Sequence, residues 1–117
     1  GDAKRAIRIL TGVRTEGTEA VIVMWAITKE LRMLATLADS VQEGVDLGSA
    51  LQKARVWNNR QNIVRACVSR HAASAFFALL KVARRADAAA KGQSGEDAWQ
   101  LATEIILGLA IVKAHAA

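Results

Sequence analysis

A chain of 117 residues can enclose one hydrophobic core but is too short for two independent domains. It has no proline, only 4% aromatic residues and 52% hydrophobic residues dominated by Ala and Leu, a composition that favours helix throughout and argues against a sheet. The net charge of +5 and an isoelectric point near 10.0 admit an anionic partner such as nucleic acid, but the cations are scattered and form no basic tail.

No uncharged apolar run approaches the ~18 residues of a membrane span, and the start lacks the basic-then-apolar shape of a signal peptide. A soluble, cytoplasmic protein is the expectation. Cys67 is the only cysteine, so an internal disulfide is excluded. Gly1 stands in place of an initiator Met and a helical pattern begins at once, which leads us to expect a piece of a longer protein.

In chain order, the pattern predicts a first helix over 2–15 with Ala6, Ile9, Leu10 and Val13 on its apolar face and Lys4, Arg5 and Arg8 opposite. Gly17 breaks that pattern, and Thr18 is placed to cap a long helix with Glu19 in its first turn. Along that helix Val21, Met24, Trp25, Thr28, Leu31, Leu34 and Ala35 recur at three- and four-residue steps, while Val23 and Ile27 are apolar on another side. So wide an apolar surface requires packing on more than one side. Residues 39–48 read as the most loop-like part, followed by a short helix capped by Asp46 or Ser49.

Asn58 or Asn59 is a natural N-cap for the next helix, which carries Ile63, Val64, Ala66, Cys67 and Val68. Two roles fit Trp57 just before it. The indole can staple onto the helix, or it can offer a flat π surface beside Arg55, Arg60 and the amides for stacking on a base. A further long helix over about 72–91 has Ala75, Phe76, Leu79, Leu80, Val82, Ala83 and Ala86 inward, a weak cap in Ser69 or Ser74, and a stop at Gly92. Ser94 is the expected cap of the last helix. There Trp99, Ala102, Ile106, Leu109 and Ala110 make one apolar face, and Leu101, Ile105, Leu107, Ile111 and Val112 spread round the rest. That surplus predicts contact with another subunit through Leu101, Ile105, Leu107 and Ile111.

Catalytic constellations are not found. Cys67 and His71 share a helix face, but two ligands do not make a metal site, and no Cys-x-x-Cys accompanies them. There is no phosphate-binding Gly-rich loop, and Glu16, Glu19 and Glu30 read as helix-start or helix-surface carboxylates rather than an acid–base pair. No cofactor is expected. A helix-turn-helix reading of 58–70 is poor, because Arg60, Arg65 and Arg70 at five-residue steps rotate round the helix.

Three stretches in register resemble the C-terminal domain of the delta subunit of the bacterial DNA polymerase III clamp loader. They are Arg14-x-Glu16-Gly17-x-Glu19 followed by Trp25 and Lys29-Glu30-Leu31-Arg32-x-Leu34; Val56-Trp57-x-Asn59-Arg60; and Ala86-Asp87 with Lys91-Gly92 and Trp99. Ala20 departs from the proline common in that family, and Ala72 and Ser94 also depart from its pattern. The resemblance implies an all-α bundle of about five to six helices spanning 1–117, of the clamp-loader collar type. It implies a non-catalytic assembly module that joins the loader subunits, so that the sliding clamp can be loaded on primed DNA. The parent assembly would be the DNA polymerase III holoenzyme, a nucleotidyltransferase. Its partners would be the other loader subunits and primer-template DNA, with the clamp reached only through N-terminal AAA+ domains absent here. Near that junction Trp57, Asn59 and Arg60 become candidate DNA contacts. The alternative is a free-standing basic helical DNA-binding domain.

Overall fold

A computed structural model describes residues 3–110, and among these the chain forms six helices and no strand. They are α1 (Ala3–Thr15), α2 (Ala20–Gln42), α3 (Leu47–Lys53), α4 (Asn58–Arg70), α5 (Ala73–Ala90) and α6 (Ala98–Ala110). The all-α expectation holds. No single described helix is long and apolar enough to cross a membrane.

The two longest helices, α2 and α5, pack along one another, and the core divides between their two ends. At one end Met24 and Leu31 of α2 meet Ala83 and Ala86 of α5, with Leu10 of α1 and Leu101, Ala102 and Ile105 of α6 closing round them. At the other end Leu34, Ala35, Leu37 and Ala38 pack with Leu51 of α3, Val64 and Val68 of α4, and Ala73 and Phe76 of α5. Leu80 and Leu109 touch both groups. Wide apolar coverage of α2 thus has its cause: helices lie on several sides of it. Gly108 lets α6 approach α5, since a methyl group there would sit 2.8 Å from Leu79 Cδ2.

The chain turns by 101° between α4 and α5, and His71 at that bend reaches across to α6. Its Nε2 donates to the Leu109 carbonyl at 2.9 Å, and its ring meets Phe76 edge-on with centroids 5.4 Å apart. His71 is therefore a core cross-link.

Helix starts depart from the sequence reading more than helix interiors do. Asp46 caps α3 as expected, accepting from the Ser49 amide at 3.0 Å. Glu19 rather than Thr18 occupies the α2 cap position, without a side-chain bond, and Trp57 rather than Asn58 or Asn59 precedes α4. Asp97 rather than Ser94 holds the first turn of α6, accepting from the Trp99 amide at 2.9 Å. The loop expected over 39–48 shrinks, because α2 continues through Gln42.

Four helices end in the same motif. After α3, the Arg55 amide bonds the Gln52 carbonyl at 3.0 Å and the Val56 amide bonds that of Leu51 at 3.1 Å, which demands a left-handed residue at the first position. After α1, α2 and α5 that residue is Gly17, Gly44 or Gly92. After α3 it is Arg55, at φ 60°, the one non-glycine with positive φ among the described residues. Its Cβ crowds the following carbonyl, whereas glycine carries no such strain. Arg55→Gly is therefore expected to stabilise the domain by about 0.5–1 kcal/mol, a rise of roughly 2–5 °C in the thermal midpoint. A lower midpoint would show that the Arg55 side chain contributes more than its backbone strain.

Candidate nucleic-acid and subunit surfaces

The turn between α3 and α4 is anchored beneath and open above. Val56 is buried in the core, and the Gln61 side chain folds back to donate to its carbonyl at 3.1 Å. That bond fixes the chain entering α4, so the stapling role falls to the Val56 segment. Trp57 is 75% exposed, the largest exposure among the big apolar side chains described. Trp57 belongs to neither group of core side chains, so most of the indole is open to a partner.

Asn58 and Asn59, in the first turn of α4, are exposed, and so is Arg60. Arg60 pairs with Glu30 of α2, both side chains being close to half exposed. The sequence pattern makes Glu30 a helix-surface carboxylate and names no partner on another helix. A cross-helix partner thirty residues away has no local signal. Trp57, Asn59 and Arg60 thus share one surface turn, with Arg60 already holding a carboxylate.

The four interface candidates on the last helix separate. Leu101 and Ile105 are buried in this chain's own core, at 4% and 0% exposure, because α6 lies against both α5 and α1. They are not available to a partner. Leu107 is exposed, and Ile111 lies outside the described residues. What α6 does offer outward is Ile106, which joins Ala6, Ile9 and Val13 of α1 and Ile22, Val23, Ala26 and Ile27 of α2 in an apolar groove of about 300 Å³. Ile9 and Ile22 are 59% and 58% exposed, against the expectation that Ile9 faces inward.

A second groove, of about 610 Å³, runs between α2 and α5 and has a different chemistry. Val21, Leu80 and Ala83 contribute apolar lining, while Trp25, Lys29, Arg32, Arg84, Asp87 and Lys91 add an aromatic and charges. The sequence reading placed Trp25 on the inward face, yet it is 65% exposed with the Lys29 ammonium 5.2 Å from its ring centroid. A wheel centred on buried Leu31 would have found this: six residues at about 100° each leave Trp25 roughly 120° away.

The remaining chemically distinctive side chains are occupied. Burial pushes the Cys67 thiol above its ordinary pKa, with neighbouring Arg70 opposing, so it is a poor nucleophile. Arg85 hydrogen-bonds Glu96 and holds that carboxyl below its usual range, tying α5 to the segment before α6. Among the described residues no group of three or more His, Cys, Asp or Glu is placed to hold a metal ion.

Comparison with known proteins agrees with the pattern of residues in these elements. The family model for the C-terminal region of the processivity clamp loader gamma complex of DNA polymerase III matches residues 1–116. DNA polymerase III subunit delta of Escherichia coli (strain K12) is 28% identical over 99 residues, covering 85% of this chain. The chain spans 29% of the length of that relative. No solved structure matches. With a matching model over nearly its whole length and the delta-type stretches on α2, α4 and α5, this chain belongs to the clamp-loader delta C-terminal domain family of DNA polymerase III.

Proposed function

We propose that this domain is the C-terminal module of a longer clamp-loader subunit and works without catalysis of its own. It joins neighbouring loader subunits in a helical collar, so that the sliding clamp can be loaded on primed DNA. Family membership supports the loader, and the observation that carries the assembly role is the apolar groove of α1, α2 and α6. Ile9 and Ile22 leave water only if something covers them, at about 25 cal/mol per Å² of apolar surface. The groove is too small to be an interface alone, since stable interfaces bury about 800 Å² per partner; it serves as the anchor of a larger contact.

The same reading gives the Trp57 turn a role at template or primer DNA, with Trp57 stacking on a base, Arg60 meeting a phosphate and Asn59 bonding beside them. The exposed indole supports it, because its burial is not used in folding. Arg60 would exchange Glu30 for phosphate, and that exchange has a small net energy, exposed ion pairs being worth about 0–1 kcal/mol.

Three outcomes test the proposal. Ile9→Glu with Ile22→Glu should weaken assembly of the reconstituted loader by at least about tenfold in gel filtration, with the thermal midpoint of the domain little changed. Unimpaired assembly would remove this groove from the collar contact. Trp57→Ala should lower primed-DNA affinity of the assembled loader about 5- to 100-fold, the loss of one stacked base, with folding stability altered by less than about 0.5 kcal/mol. Intact DNA binding would leave Trp57 without that role. Glu30→Gln should strengthen DNA binding roughly two- to fivefold at low salt by releasing Arg60, and weakened binding would mean that the pair positions Arg60 instead.

A further inference from the structure

We propose that the groove between α2 and α5 is a second binding site, for single-stranded nucleic acid, separate from the Trp57 turn. A base would stack on Trp25, and the adjoining phosphates would meet Arg32, Arg84 and Lys29.

The separation follows from helix geometry. Glu30, which faces α4 and Arg60, lies between about 100° and 160° round the α2 axis from Lys29, Trp25 and Arg32. The groove therefore opens on the other side of α2 from the Trp57 turn, towards α5. One ligand segment a few nucleotides long does not touch both.

Charge in the groove is unbalanced. Four cations line it against the single carboxylate of Asp87, which is held by Lys91 at 2.9 Å. Arg32 and Arg84 have no carboxylate partner among the described residues, and Lys29 is engaged only by the Trp25 ring. Arg84 and Lys91 lie about 10 Å apart along α5, giving a basic edge long enough for a few nucleotides. Guanidinium groups lining one groove with an exposed indole, which the Lys29 ammonium approaches from one face, are the parts that sequence-tolerant strand binding uses: phosphate pairing for affinity and stacking for the bases.

An acidic peptide would also answer the charge. It would leave the broad face of Trp25 unused, and it would want a deep apolar socket for an anchoring side chain, where this groove offers a shallow floor of Val21, Leu80 and Ala83. The planar aromatic at an open rim favours the strand.

The test is fluorescence anisotropy of a fluorescein-labelled twenty-residue oligothymidylate with the full-length subunit, at several salt concentrations. Arg32→Gln with Arg84→Gln should lower affinity at least tenfold and reduce the slope of log affinity against log salt by about 1.4, the loss of two single-strand phosphate contacts. Trp25→Ala should lower affinity about fivefold or more at unchanged slope, and Trp25→Phe should restore most of it. A twenty-nucleotide strand is long enough to span both sites, so each loss should multiply with that of Trp57→Ala. Lys4→Gln with Arg8→Gln, removing equal charge from α1, should do much less.

An equal loss in that α1 control would reduce the binding to diffuse attraction and overturn the proposal, as would groove variants that bind normally. Displacement of the oligonucleotide by a polyglutamate peptide at matched charge, abolished by the groove substitutions, would identify a peptide site and overturn it too. These readouts rest on Trp25, Arg32 and Arg84, whereas the collar reading fails or stands on assembly through Ile9 and Ile22, so either can fail alone.

Discussion

The packing of α2 against α5 fixes where every other helix can go. One side of this contact is built from large residues, Met24, Leu31 and Leu34, and the other carries small ones, Ala73, Ala83 and Ala86, with Phe76 as its largest buried member. Alanines on α5 allow the two backbones to approach, and the longer α2 side chains fill the space that closeness leaves. With that axis set, α1 and α6 can bury their apolar stripes only at one end, and α3 and α4 only at the other. His71 then fastens the bend between α4 and α5 onto α6, so that the two ends do not act as separate bodies.

The same axis sorts the surface. A helix of 23 residues that buries part of its circumference along its whole length still has two flanks, and α2 uses them differently. One flank runs from Ile22 and Ala26 to Glu30, passing from the apolar groove shared with α1 and α6 to the ion pair with α4. The other carries Trp25, Lys29 and Arg32 over α5. An apolar surface suited to protein and a basic aromatic surface suited to polyanions therefore adjoin along the outer face of α2, where Ile22 and Lys29 stand about 20° apart round the axis and about 10 Å apart along it.

Helix existence and type were legible in the sequence because periodicity and glycine stops are local signals. Gly17, Gly44 and Gly92 mark three helix ends, and Asp46 marks a start. The delta-type stretches were legible for the same reason, being runs of adjacent residues. What escaped was decided at a distance. Ile105 and Ile9 are equally apolar, yet one is fully buried and the other 59% exposed, because α6 is flanked by two helices and Ile9 looks across an unfilled groove. Trp25 was drawn inward by hydrophobicity alone, although Leu31 and Ala38 set the buried direction elsewhere. Arg60 finds Glu30 only once α4 is laid beside α2.

Taken together, Arg55, Trp57 and Arg60 show why this short turn differs from the other three helix ends. A glycine would relieve the backbone at Arg55, a polar cap would satisfy the start of α4 better than Trp57, and burying the indole would yield about 1.5–3 kcal/mol, as for other large apolar side chains. Each choice forgoes stability in a domain whose total is of the order of 5–15 kcal/mol. None of them reinforces the fold, since Val56 and Gln61 already hold the chain from below. Three local departures at two residues, Arg55 and Trp57, both on the outward side of one turn, concentrate unused binding energy where a partner can collect it. The Glu30–Arg60 pair keeps the cation oriented until then, at an energy small enough for a phosphate to displace the carboxylate. Stacking on Trp57 then decides the sign of the net change, because a stacked base contributes about 1–3 kcal/mol, more than the ion pair it accompanies, and the indole is three-quarters exposed.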